Sequence, residues 1–152
     1  MFMQINIKKI LIIFLSLFFF SITGAEEIFL SLKKNKVNVR YGPSLESPIK
    51  YIYKKINLPI KQIDKKENWR RIIDLKNNSG WIHSSQLKPI NSIIPLEDTV
   101  LFNKSSIFSK PIAKIKKGRV LLIQKCAGDW CKIKTDKIKG WINNSNVWGK
   151  IN

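Results

Sequence analysis

The sequence predicts an all-β protein in which two small domains follow one another. Three observations carry that prediction. Two tryptophans recur with matching neighbours: Trp69 and Trp81 stand twelve residues apart, Trp130 and Trp141 eleven, and each second one lies in a triplet, Gly80-Trp81-Ile82 or Gly140-Trp141-Ile142. Apolar and polar residues alternate through residues 37–41 and 131–135, the period of a half-buried strand. Turn residues separate such runs, with Gly-Pro-Ser at 42–44, Asn-Asn-Ser-Gly at 77–80 and Ala-Gly-Asp at 127–129. No window beyond residue 25 sustains an apolar stripe of helical period.

In chain order, the first element is no part of the fold. Lys8 and Lys9 precede an apolar run over residues 10–22, followed by Thr23-Gly24-Ala25 and then Glu26-Glu27. A positive start, a short apolar stretch and small residues before a polar boundary describe a secretory signal peptide, residues 1–25. The run is short for a membrane span, which needs about 20 residues. It is either cleaved after Ala25 or kept as an N-terminal anchor, and both put the rest of the chain outside the cytoplasm. No membrane span is expected after cleavage.

The remaining residues divide into a first domain, 26–90, and a second, 91–152, with the repeat itself at 28–87 and 96–147 and a linker holding Pro89 and Pro95. Ser47-Pro48-Ile49 matches Lys110-Pro111-Ile112, and Lys54-Lys55 matches Lys116-Lys117. The offset between the copies drifts from 63 to 60, too long for a solenoid repeat. Within each copy, the first tryptophan is expected to open a strand after a tight turn. The second is expected to open the next strand as a core ring, beside a glycine that permits close backbone approach.

The segment Lys36-Val37-Asn38-Val39-Arg40-Tyr41-Gly42-Pro43-Ser44, then Pro48, Trp69-Arg70-Arg71-Ile72 and Gly80-Trp81-Ile82-His83, resembles the bacterial SH3-like (SH3b) domain. The chain beyond Ala25 as a whole resembles exported tandem SH3-like proteins of alphaproteobacterial type. The second copy joins the resemblance through Cys126-Ala127-Gly128-Asp129-Trp130-Cys131 and Val147-Trp148-Gly149, but carries Leu101-Phe102-Asn103-Lys104-Ser105-Ser106 where the first has its Arg-x-Gly-Pro signature. The resemblance implies two partly open five-stranded barrels and a non-enzymatic binding module of the periplasm or cell exterior. The resemblance implies binding in a shallow groove, where eukaryotic relatives of such barrels use aromatic rings to dock extended peptides. Arg40, Tyr41, Tyr51, Tyr53 and Trp69 are the candidates for it in the first copy. Phe102 and Phe108 are the nearest equivalents in the second. Alternation puts Tyr51 and Tyr53 on one face of a strand, where they either bind or cover the barrel with their hydroxyls in water.

Cys126 and Cys131 flank four residues that include Gly128 and Asp129. On a hairpin they face each other within bridging distance, and an exported chain meets oxidising conditions, so a disulfide is expected. The first copy has Lys65 and Arg70 at the matching places. Structural zinc needs four Cys or His ligands, and the chain offers two cysteines and one histidine, so no metal or cofactor is expected. His83 lies among Ser84 and Ser85 and reads as a turn histidine. The ten carboxylates do not pair into an acid/base site, and no enzyme activity is expected.

The net charge of +18 includes Lys8 and Lys9. Abundant Lys, Ile and Asn make part of it compositional, and a selected anion-binding surface is the competing reading. Nucleic acid is disfavoured by export and by basic residues scattered through both copies. The expected partner is a cell-wall peptide such as the peptidoglycan stem, or an anionic polymer. An envelope protein held on a scaffold is the alternative. Nothing in the sequence sets an oligomeric state. The closing Val147-Trp148-Gly149 suggests that the barrels pack together, because a terminal tryptophan needs a place to be buried.

Overall fold

The structure, a computed structural model, describes residues 26–135 and 137–149, so the signal-peptide expectation lies outside the described residues. Among the described residues, fourteen strands form two seven-stranded sheets, with one 3-10 turn at Ser84–Gln86. The first contains β1 (Ile28–Leu32), β2 (Val37–Arg40), β3 (Ile49–Tyr53), β4 (Pro59–Lys66), β5 (Trp69–Ile73), β6 (Ser79–His83) and β7 (Leu87–Pro89). The second contains β8 (Ser92–Pro95), β9 (Thr99–Phe102), β10 (Pro111–Ile115), β11 (Leu121–Ala127), β12 (Trp130–Lys134), β13 (Lys139–Asn143) and β14 (Val147–Trp148). Their strand orders, β3-β2-β6-β5-β4-β1-β7 and β10-β9-β13-β12-β11-β8-β14, are the same order with every label advanced by seven.

The duplication extends to irregularities. Both central hairpins carry a register shift on the longer strand, between Gln62 and Asp64 in β4 and between Ile123 and Lys125 in β11. Such bulges sharpen strand twist and let a small sheet curl. Both hairpins turn on a residue with positive φ, Glu67 in the first and Gly128 in the second. Glycine takes that conformation without a Cβ penalty, so the second copy has the less strained turn.

Each sheet closes on its own apolar core. Val39, Ile60, Ile72 and Ile82 in the first are matched by Leu101, Leu121, Ile133 and Ile142 in the second. The two Gly-Trp-Ile triplets lie inside β6 and β13 rather than opening them, and they correct one expectation. Gly80 and Ile82 are buried while Trp81 is half-exposed, and Gly140, Ile142 and Trp141 repeat the pattern. Alternation puts glycine and isoleucine on the inner face and tryptophan on the outer one. The glycine is required because a Cβ at Gly80 would stand 2.4 Å from Val39 Cγ1, and one at Gly140 2.7 Å from the Phe102 carbonyl oxygen.

The two sheets touch. The Trp148 indole N–H donates to the Pro59 carbonyl at 2.9 Å, and its ring meets Phe29 edge-on at 5.1 Å between centroids. Ser92 Oγ donates to the Asn57 carbonyl at 2.5 Å and lies 3.2 Å from Ser31 Oγ. Pro95, expected in a linker, belongs to β8, whose four residues are all buried.

Candidate functional site

The first copy's signature builds a braced loop. After β2 the chain turns at Gly42-Pro43, and Pro48 returns to accept the Tyr41 amide at 3.1 Å. The Arg40 guanidinium donates to the Ser47 carbonyl at 2.6 Å, and Ser44 Oγ holds the Glu46 carboxylate. That hydroxyl, chiefly, keeps the Glu46 carboxyl below the usual carboxylate range, with Arg40 adding a smaller effect. The arginine spends one of its five donors on the loop.

Beside this loop is a groove of about 270 Å³ lined by Arg40, Tyr41, Lys50, Arg71, Ser79, Gly80 and Trp81. The pairing of β5 with β6 sets Arg71 opposite Trp81, and the pairing of β2 with β6 sets Arg40 opposite Trp81, so two guanidinium-bearing residues flank one indole. Lys50 Nζ sits 5.5 Å from the Tyr41 ring centre and donates to the Ser79 carbonyl at 2.9 Å. Tyr41 is 66% exposed. Among the described residues, the ion pairs join Lys61 to Glu27 and Lys116 to Asp98, and neither includes a groove cation. Such an arrangement can hold a carboxylate or phosphate by charge-assisted hydrogen bonds while its aromatic walls cover an apolar neighbour.

The remaining candidates lie elsewhere. Tyr51 and Tyr53 pair with Val39 and Val37, share their inward face, and pack on the first core. Their rings meet edge-on at 5.2 Å. Their hydroxyls lie 3.3 Å apart, and Tyr53 donates onward to Asp74 at 3.0 Å, so each hydroxyl has a partner within the protein. Burial above all, then Tyr51 and Asp74, push the Tyr53 phenol far above the usual tyrosine range. Burial likewise raises Tyr51. Trp69 is only 8% exposed and its ring stands against His83 at 5.3 Å, so it belongs to the packing of the β5–β6 hairpin. Of the five candidates, Arg40 and Tyr41 line the groove, while Lys50, Arg71 and Trp81 complete it. A signal for two of these was present, because a hairpin that pairs Trp69 with His83 must also pair Arg71 with Trp81.

The second barrel fills the same place itself. Phe102 occupies the position of Arg40 opposite Trp141, and its ring meets Trp130 at 5.8 Å. Lys125 and Lys132 cover the Trp141 face at 5.7 and 5.6 Å. A separate cavity of about 390 Å³ lies where the barrels meet, lined by Tyr53, Leu58, Pro59, Asp74 and Leu75 of the first and by Ile94 and Gly118 of the second, among others. Cys126 and Cys131 are cross-strand partners joined by a disulfide, with Cα atoms 4.1 Å apart. Among the described residues, no group of three His, Cys, Asp or Glu side chains could hold a metal ion, and no helix is long and apolar enough to cross a membrane.

Two β-barrels with one strand order, each curled on its own core, define a tandem of small SH3-like modules. The bacterial SH3 domain family matches the chain twice, over residues 33–89 and 99–149, and the chain belongs to that family. No curated protein matches it. Among solved structures it is similar to NlpC2 from Trichomonas vaginalis at 13% identity and a TM-score of 0.37, the match covering 82% of this chain and 49% of that one. It is similar to NlpC1 from Trichomonas vaginalis at 12% identity and 0.38, covering 86% and 48%. The chain therefore spans about half the length of either.

Proposed function

We propose that this protein is an exported, non-enzymatic binding module of the cell envelope, and that the groove of its first barrel takes a carboxylate-bearing wall component such as the peptidoglycan stem peptide. The observation that carries this reading is the convergence of Arg40, Lys50 and Arg71, outside the ion pairs among the described residues, on a groove walled by Tyr41 and Trp81. Two planar guanidinium groups suit carboxylates that can be held by two bonds at once, and the rings suit the short apolar side chains between them. The tandem SH3 architecture supports a binding role. His83 Nδ1 lies 2.8 Å from Ser85 Oγ, but neither residue lines the groove or the cavity between the barrels. A second reading, a scaffold for an envelope protein, draws on the cavity between the barrels, whose Leu58, Pro59, Leu75 and Ile94 offer apolar contact.

The test is retention of residues 26–152 on purified sacculi, beside an unrelated basic protein of equal net charge. Binding should survive salt that releases the control. The exposed pair Tyr41→Ala and Arg71→Glu should lower affinity by about tenfold or more without changing the melting temperature. Binding equal to the control, or unaffected by the pair, would overturn the reading. Crosslinking in intact cells that returns one defined protein rather than wall fragments would favour the scaffold. A substitution at Trp69 tests packing rather than recognition, since that ring is buried.

A further inference from the structure

The loop between β9 and β10, residues 103–110, replaces the Gly-Pro loop of the first barrel and has no part in the groove. Its tip carries Ile107, 62% exposed, and Phe108, 93% exposed, the highest exposure of any large hydrophobic among the described residues. Exposed single apolar residues are ordinary, but two adjacent ones at a loop apex, held outward, are not. The loop holds them there by its own bonding. The Ser106 amide donates to the Lys104 carbonyl at 2.8 Å, the Ser109 amide to the Ser106 carbonyl at 3.2 Å, and the Phe108 amide to Ser106 Oγ at 3.2 Å. Ser109 Oγ donates to the Ser106 carbonyl at 2.9 Å and to the Lys104 carbonyl at 3.1 Å. The ring is therefore presented by a closed turn.

Charge identifies what that ring meets. Lys104 and Lys110 flank the tip and are exposed. Residues 103–110 themselves hold these two lysines and no acidic residue. An apolar apex flanked by two cations complements a surface that is anionic outside and apolar just beneath, which describes a bilayer containing acidic phospholipids. A protein partner fits less well. A stable protein interface buries about 800 Å² per side, whereas this loop offers two apolar side chains at its tip. We propose that residues 103–110 form a membrane-docking tip, with Phe108 and Ile107 entering the headgroup boundary of an acidic bilayer while Lys104 and Lys110 contact lipid phosphates.

The experiment is co-sedimentation of residues 26–152, which hold both sheets and the disulfide complete, with two kinds of vesicle. One is phosphatidylcholine containing phosphatidylglycerol, and the other is phosphatidylcholine alone. Binding is expected to the acidic vesicles and to weaken with salt. Replacing Ile107 and Phe108 together by serine should lower partitioning by about tenfold or more, given the apolar area withdrawn from lipid. Lys104→Gln with Lys110→Gln should lower it for acidic vesicles. Both pairs are exposed, so melting temperature and sacculus binding should stay at their original values. Failure of the unsubstituted protein to bind acidic vesicles overturns the proposal. So does undiminished binding by the serine pair, which would leave the apex to a protein partner and the vesicle affinity to charge alone.

Discussion

Tyr53 donates to Asp74, and Asp74 in turn accepts the backbone amides of Lys76 and Asn78 and the Asn78 side-chain amide, whose nitrogen lies near both carboxylate oxygens, so one phenol ties β3 to the turn between β5 and β6. Asp74 is 8% exposed, and a carboxylate so placed is tolerated only because donors surround it. Replacing Tyr53 by phenylalanine removes one of them and should cost about 1–2 kcal/mol at neutral pH, read from the urea midpoint. The raised phenol also sets a pH dependence. The folded protein holds its proton above the pH at which the unfolded chain releases it. That stabilisation is complete below the ordinary tyrosine range, near pH 10, and is lost progressively as pH rises beyond it. Unfolding midpoints should therefore fall between about pH 9 and 11, and fall less in Tyr53→Phe. An equal fall in both proteins would remove Tyr53 as the cause. Period two was enough to put Tyr51 and Tyr53 on one face. It could not say that this face was the inner one, because Ile52 on the opposite face of the same strand is as apolar as the tyrosines.

The central hairpins show one element solved twice with different chemistry. In the second copy Cys126 faces Cys131. In the first copy Lys65 faces Arg70, and the Arg70 guanidinium turns away to donate to the Glu67 and Trp69 carbonyls at 2.8 and 3.0 Å. Arginine thus ties down the turn, a weaker brace than a covalent one. Replacing both cysteines by serine should lower stability by about 2 kcal/mol, the loop-closure entropy of so short a ring, as measured by denaturant unfolding. Reductant should produce the same loss in the original protein and none in the variant. The hairpin and its bridge were legible because two cysteines around a Gly-Asp turn leave little choice of register. The outer position of Trp81 was not legible. A Gly-Trp-Ile triplet suits a buried indole beside a permissive glycine, and equally an outer indole whose glycine makes room for Val39. Register across the sheet decides between these, and that depends on partners far away in sequence. The groove suffered for the same reason: Arg40 and Tyr41 stand together in the chain, but Lys50, Arg71 and Trp81 reach them only through pairing.

For the molecule as a whole, the question is whether two barrels from one repeat behave as one body. The strand β8 was invisible as a strand because all four of its residues are buried, which erases the alternation that marked the others. That burial is itself the sign of packing between barrels. Trp148 extends it, placing a ring on Phe29 and an indole N–H on the Pro59 carbonyl. Gly149 is needed beside it, because a Cβ there would stand 2.8 Å from the Ser92 carbonyl oxygen. Ser31, Asn57, Asn91 and Ser92 add a polar seam, with the Asn91 amide donating to Ser31 Oγ at 3.2 Å and the Asn91 side chain to Asn57 Oδ1 at 3.2 Å. These contacts couple the unfolding of one barrel to the other, since losing either exposes the seam. Trp148→Ala removes the ring and the N–H together while leaving both cores whole. Because the ring is half-buried, the cost should be about 2–3 kcal/mol, below that of a fully enclosed tryptophan. The form of the change is more telling than its size. Calorimetry should show one transition for the original protein. The variant should show two, the lower belonging to the first barrel, which has no disulfide. One undivided transition at an unchanged midpoint would mean that the coupling does not pass through Trp148, and that the polar seam of Ser31, Asn57, Asn91 and Ser92 holds the barrels as one body without it.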